Sequence, residues 1–284
     1  LAGAPLAQGN NRTLLTEYNN NGQVSTVVQP QGWTYDSNAA AGQQYAVASK
    51  TTQHTYNAFG DLVRVNELVN AVANTWRSTN HYVDLNGNAI ASVDALGYLT
   101  TQTFDATGNI TSKTEFATAI AGWNGLSAPA SPPSAVQSAN DRRMDYRYDL
   151  NNRKTSENQH QVIYSDASNG TTAAPANPGT TFGYDAVGNL TRTTDATGAA
   201  TYTYYDALGR VFAVAAPARQ STIDGAPVIP LTVFYRDAYG NVVLQTEFAN
   251  GTTSATESAF GLLSGSSSDR STVSQYDRFG HVTQ

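Results

Sequence analysis

Asp185, Asp206 and Asp277 are the first residues to weigh, because a carboxylate can act as a base, a nucleophile or a metal ligand. Each opens the same short stretch, Asp-x-x-Gly, ending at Gly188, Gly209 and Gly280. An Asp at the first corner of a tight turn accepts a hydrogen bond from the backbone two residues on. A carboxylate that recurs at one structural place is therefore read as a turn cap rather than as part of an active site. Asp84-x-Asn86-x-Asn88 begins like a calcium loop, but Ala89 stands where that loop needs Gly and Ala95 where it needs a bidentate Glu. His54, His81, His160 and His281 have no ligand spacing. Gly261-Leu-Leu-Ser264-Gly265 has the wrong order for a nucleophile elbow. Glu115 and Glu247 invite comparison with a glycosidase pair. Both sit in Thr-Glu-Phe-Ala, at Thr114–Ala117 and Thr246–Ala249, and so share a structural role. No Walker or dinucleotide glycine motif occurs. The expectation is a non-enzymatic chain with no cofactor and no metal site.

Composition narrows the partners. The 284 residues carry a formal net charge of −6, and only 13% are Asp, Glu, Lys or Arg. Phosphate neutralisation needs clustered Lys and Arg, so no nucleic acid is expected as a partner. With no Cys there is no disulfide, zinc thiolate or thiol nucleophile. No apolar run approaches the roughly 18 residues of a membrane span. The N-terminal LAGAPLAQGNN lacks the basic and apolar regions of a signal peptide. Both ends read as cuts through a longer array.

What must position the carboxylates is a set of hairpins. In Tyr184–Val214 the turn device occurs three times, ending at Gly188, Gly198 and Gly209. Gly supplies the positive φ that closes a type I turn into a longer hairpin loop. Between turns lie runs such as Ala199–Tyr205, rich in aromatic, β-branched and Thr residues, of ordinary strand length. Gly87, Gly97 and Gly108 repeat the same spacing, each 101 residues earlier. Repetition at two scales predicts an array of supersecondary units. The turn positions are Asp94, Gly97, Asp105, Gly108, Asp149, Asp185, Gly188, Asp195, Gly198, Asp206, Gly209, Gly240, Asp277 and Gly280, with Asn152 replacing Gly after Asp149.

The expected fold is all-β, consecutive hairpins in one array over 1–284. Excursions interrupt it at about 29–50, 117–141, 165–180, 215–230 and 261–271. Pro129–Pro133 marks the second as a long surface segment, and 261–271 is Ser- and Gly-rich. Leu62–Trp76 fits helical spacing or two strands broken near Asn70–Asn74; turn copies on both sides favour strands.

The motifs YDAVGNLT, YDALGRV, FDATGNIT and YDRFGHVT resemble the YD repeats of the RHS (rearrangement hotspot) family, and the resemblance runs from about Tyr18 to the end. That family includes polymorphic toxins, Tc-toxin cocoon components, wall-associated proteins and teneurins. The resemblance implies a ribbon of hairpins wound into a hollow shell, enclosing a C-terminal toxin in many bacterial members. Its partners would be the rest of the parent shell and an enclosed C-terminal polypeptide, and its location secreted or cell-surface, in a bacterium. The family's plug with its aspartyl self-cleavage site is not seen in this sequence. About ten turns span at most roughly 95 Å of sheet. A wall around ~100 residues needs a circumference of ~160 Å, so one such fragment covers about half a turn.

Tyr184, Tyr205 and Tyr276 stand just before their turns. Stacked in adjacent hairpins they would form an aromatic ladder, and buried rings are expected. The alternative is a carbohydrate-binding or adhesive surface, with Trp33, Trp76 or Trp123 as glycan platforms.

Overall fold

The computed structural model describes residues 13–35, 45–70, 74–160, 165–166, 171–172, 177–220, 227–263 and 265–283. Its described residues form twenty strands and one short 3-10 turn, Gly125–Ser127. Every strand pairing described is antiparallel, so the protein is all-β and built of consecutive hairpins. The chain divides into two compact units, Leu1–Arg143 and Met144–Gln284.

The first unit is a meander. Strands Leu15–Tyr18, Val24–Tyr35, Tyr45–Tyr56, Leu62–Asn70, Thr75–Val83, Ala89–Val93, Leu99–Phe104 and Ile110–Glu115 each pair with the next. Leu62–Trp76 is strand on both sides of its break, as the flanking turns indicate. Within the excursion expected at 29–50 the described residues are paired strand, in which Gln31 faces Ser49 and Tyr35 faces Tyr45. Its Thr, Val and Tyr residues suit a pleated surface even without a visible period.

The second unit repeats the plan with strands Lys154–His160, Gly179–Tyr184, Leu190–Thr194, Ala200–Tyr205, Val211–Ala215, Pro227–Arg236, Val242–Thr252 and Arg270–Val273. Of the excursion expected at 165–180, only Ser165–Asp166, Thr171–Thr172 and residues from 177 onward are described, and the first two pairs form a separate ladder. Within 215–230 the described residues form Arg219–Gln220, paired with Pro227–Val228.

Each unit buries one small core on one face of its meander. Tyr82, Ala91, Val93 and Leu99 form the first. Tyr204, Ala213, Ala215, Leu231 and Val233 form the second. Cross-strand partners such as Tyr204 with Ala213, and Ala213 with Val233, put these side chains on a common face.

Successive turns of a meander fall at alternate ends of its strands. In the first unit the turns at Gly22, Gly60, Gly87 and Gly108 share one edge. In the second, those at Asn152, Gly188, Gly209, Gly240 and Gly280 share one edge. The opposite edges carry the Gly97 and Gly198 turns, and also the long segments 117–141 and 249–269.

Candidate functional site: a turn edge tied by hydroxyls and two roofing segments

The turn at Asp206 shows what the carboxylate does. The Gly209 N–H donates to Asp206 O (2.9 Å), and the Asp206 N–H donates to Arg210 O (2.9 Å). Oδ1 accepts from the N–H groups of Leu208 and Arg210, both at 2.9 Å, and Oδ2 accepts from Arg210 Nε at 2.7 Å. Gly209 closes the turn at φ +74°. Both oxygens are thus used inside one turn. The same wiring recurs at Asp105, Asp149, Asp185 and Asp277. Asp84 accepts in the same way from the N–H groups of Asn86 and Asn88, so the calcium-like stretch is another turn. At Asp149 the positive φ falls to Asn152, at 61°. The hydrogen bonds stabilise the charged form. The Asn109 side chain, then Thr107, hold Asp105 down at about 2, and the Arg210 side chain keeps Asp206 below the ordinary carboxylate range.

The residue after each glycine was not singled out by sequence reasoning, and it matters. It is Asn88, Asn109, Asn189, Arg210, Asn241 or His281, or Arg153 where Asn152 stands for the glycine, and its side chain closes the turn on Oδ2 of the Asp. It also reaches the next turn along the edge. Arg153 Nη1 donates to Asp185 O (3.1 Å), and Gln23 Nε2 to Gly60 O (2.8 Å). The signal is legible in G-N, G-R, G-D and G-H, against Gly97-Tyr98 and Gly198-Ala199 on the opposite edges.

The tyrosines are tied by hydroxyl, not stacked ring on ring. Tyr184, Tyr205 and Tyr276 are half-buried. Strand Leu190–Thr194 stands between the strands of the first two, which separates their rings. Instead, each hydroxyl donates to a backbone carbonyl of the preceding hairpin on the same edge: Tyr184 to Lys154 O (2.8 Å), Tyr205 to Leu190 O (3.1 Å) and Tyr276 to Val242 O (3.0 Å). Where an inserted residue puts Arg236 before the turn Asp, its Nη2 donates to Val211 O at 3.0 Å. The second unit's edge therefore has a tie at every step from Lys154 to Tyr276. The strand register shifts at three of these residues, between Gly183 and Tyr184, between Tyr204 and Tyr205 and between Tyr235 and Arg236. A bulge of this kind re-aims a side chain. The Gly97 and Gly198 turns have no such shift.

The excursion expected at 117–141 is a roof, and so is 249–269, which overlaps the one expected at 261–271. In the first unit, Ala117 N donates to Asp141 Oδ1 and Ser138 N to Asp141 Oδ2, both at 2.9 Å. In the second, Ala249 N donates to Asp269 Oδ1 (2.8 Å) and Ser266 N to Asp269 Oδ2 (2.9 Å). One Asp clasps the two ends of each segment, and a Ser-x-x-Asp-Arg stretch is the shared sequence. The first roof lays Phe116, Ile120, Trp123 and Ala135 on its core. It is held from below by Asn80 Nδ2 to Gly125 O (3.1 Å) and Arg64 Nη1 to Leu126 O (3.0 Å). The second lays Phe248, Ala255 and Phe260 on its core, and the Tyr204 hydroxyl donates to Thr256 O and Ala259 O. The Pro129–Pro133 segment thus belongs to a folded cover, and 261–271 ends in the Asp269 clasp.

The remaining candidates fall into structural places. Glu115 meets Arg142 and Glu247 meets Arg270, each at 3.8 Å, so the two Thr-Glu-Phe-Ala stretches build the same clasp. Trp123 packs on the first core. Trp76 donates through Nε1 to Asn74 Oδ1 (2.9 Å). The Trp33 side chain lies outside the described residues. Among the described residues no group of three or more His, Asp or Glu side chains is placed to hold a metal ion. No helix among them is long and apolar enough to cross a membrane.

The model of the RHS repeat family matches residues 83–120 and 184–221, the two triplets of turns found 101 residues apart. No curated protein matches the sequence. Among solved structures, the chain is similar to one of TcdB2-TccC3 with Cdc42, at 15% identity over 95% of this chain and 15% of that one, with a TM-score of 0.32. It is also similar to a Photorhabdus luminescens Tc holotoxin pore, at 14% identity, 95% and 15% coverage and a TM-score of 0.28. The chain spans about 15% of the length of either.

Proposed function

The chain carries RHS repeats, at 83–120 and 184–221, and on that premise we propose that it is a stretch of wall in a larger hollow shell that sequesters a polypeptide. The parent is a secreted or surface protein of a bacterium, and the cargo is a C-terminal segment such as a toxin. The observation that carries this reading is the unbroken row of ties along the second unit's turn edge, from Tyr184 to Lys154 through Tyr276 to Val242. A lone hairpin is marginal in water. These ties couple each hairpin to its neighbour, which is what an extended wall requires. The recurrent carboxylates are spent on the same task, since their oxygens cap turns. Trypsin digestion of the native full-length parent, followed by mass spectrometry of surviving fragments, tests the proposal. Survival of a C-terminal, non-repeat polypeptide only while the repeats stay folded is the expected result. Its rapid loss from an intact repeat region would contradict sequestration and favour an adhesive, glycan-binding surface.

A further inference from the structure

The second unit's turn edge carries a row of apolar side chains that folding does not explain. Val187, Leu208, Tyr239 and Phe279 each stand immediately before the turn glycine, and Leu150 stands one residue after Asp149. All five are at least 69% exposed. In four of them the backbone N–H is held on the turn carboxylate, Val187 on Asp185 (3.0 Å), Leu208 on Asp206 (2.9 Å), Tyr239 on Asp237 (2.9 Å) and Phe279 on Asp277 (2.8 Å). That bond needs only the backbone, so a polar residue would serve the turn as well, and turns favour polar residues. Thr197 fills the same place in the Asp195 turn on the opposite edge and adds its hydroxyl to the carboxylate at 2.6 Å. The first unit's edge has Phe59 and Leu85 exposed but Thr107 in the corresponding turn.

We propose that this row is an interaction seam whose occupant is the matching edge of a second hairpin array, supplied in solution by a second copy of this chain. Pitch is the first argument. Turns on one edge are two strands apart, about 9.6 Å, so the row is a comb roughly 38 Å long. A second edge of the same construction has the same pitch in either direction, and its side chains fit between these in a two-fold, self-complementary contact. Area is the second argument. Two aromatic and three aliphatic side chains offer on the order of 800 Å², about what each partner gives to a standard interface. The third concerns hydrogen bonding. Both carboxylate oxygens and four of the N–H groups are already paired within each turn, so the exposed contact falls mainly to apolar side chains. Arg278 lies over the Phe279 ring at 4.6 Å and covers only that end of the comb.

The seam needs the hairpin array but no enclosed cargo. Failure of one reading therefore leaves the other standing. The test is sedimentation equilibrium of the whole 284-residue chain and of a variant carrying Val187→Ser, Leu208→Ser, Tyr239→Ser and Phe279→Ser. The wild-type chain is expected to self-associate reversibly, and the variant to weaken its dissociation constant at least tenfold with the melting temperature unchanged. Because the chain has no Cys, Leu208→Cys is a clean second reporter, and it should form a disulfide-linked dimer under mild oxidation. Phe59→Ser is the control that leaves association unchanged. A wild-type chain that stays monomeric at millimolar concentration would overturn the seam, as would association that survives the four serines. Sedimentation with phosphatidylglycerol vesicles, abolished by the same serines, would show that a lipid surface is the occupant and would overturn it too.

Discussion

The triplet of turns at Gly87, Gly97 and Gly108 and the triplet at Gly188, Gly198 and Gly209 have the same spacing and the same internal hydrogen bonds, yet they are secured differently. In the second triplet Tyr184 and Tyr205 reach back to the preceding hairpin. In the first, the equivalent residues are Val83 and Phe104, which have no hydroxyl to donate. The first triplet is secured from above instead. Its middle turn lies under the roofing segment: Ile120 N donates to Gly97 O at 2.9 Å, and Gly97 is buried. Around Gly198 a side chain would meet nothing within 4 Å. The turn is a common unit; the first triplet adds a roofed middle turn, and the second adds hydroxyl ties along its edge beside the roof that Tyr204 holds.

The comparison can be broken most sharply at its middle turns. A Cβ on Gly97 would lie 3.0 Å from Trp123 Cβ and 3.3 Å from Ile120 O. Gly97→Ala is expected to cost about 3 kcal/mol, combining a left-handed backbone with a displaced roof. Gly198→Ala should cost about 1 kcal/mol, the backbone term alone. Chemical denaturation of the two variants checks this, and equal losses would deny the roof its role. Gly209→Val comes next, at about 2 kcal/mol, because a β-branched residue resists φ +74°. A polar-to-Ala change at Ser266 or Ser268 should cost less than Gly209→Val.

Hydroxyl exchange is a smaller effect. Tyr205→Phe removes one hydrogen bond to Leu190 O and should destabilise by about 1 kcal/mol. Phe104→Tyr places a hydroxyl at the equivalent first-triplet position and should stabilise by up to about 1 kcal/mol through Ala89 O. Amide exchange should slow around Ala89 in that variant, and no change there would show that the two triplets are not interchangeable. The smallest expected effect is on acid sensitivity. Asp105 titrates at about 2 in the folded chain against 3.8 ordinarily, mainly through the Asn109 side chain. A depressed carboxylate pKa contributes stability that is present above the ordinary value and lost as pH falls through the folded one. The melting temperature should therefore drop between about pH 4 and about pH 2, less steeply in Asp105→Asn.

The hairpins, their turns and the equivalence of Glu115 with Glu247 could be read from the sequence because each follows from a local rule repeated many times. Gly209 needs positive φ, and Asp206 needs a backbone donor two residues on; both lie within five residues. The hydroxyl ties were not legible, because Tyr205 reaches Leu190 across a register shift that spacing does not reveal. The roofs were missed for a related reason. Ala117–Asp141 has no periodicity, and its Trp123 packs on the first unit's core only once the strands are assembled. The 29–50 stretch read as irregular because Pro30 and Gly32 interrupt any period, at a register shift between Val28 and Gln31, and its pairing is fixed by continuation from Thr26–Gln53.

We have proposed that ties between neighbouring hairpins hold these repeats as a stretch of wall around a polypeptide. The most direct test is made in the full-length parent carrying Tyr184→Phe, Tyr205→Phe and Tyr276→Phe together. Trypsin is added at a temperature where circular dichroism shows both proteins folded, and the C-terminal non-repeat polypeptide is followed by mass spectrometry. The account predicts lasting protection in the wild type and faster loss in the triple variant. Equal protection in both would show that the hydroxyl ties do not hold the wall, and equally rapid loss from two folded arrays would contradict the wall itself.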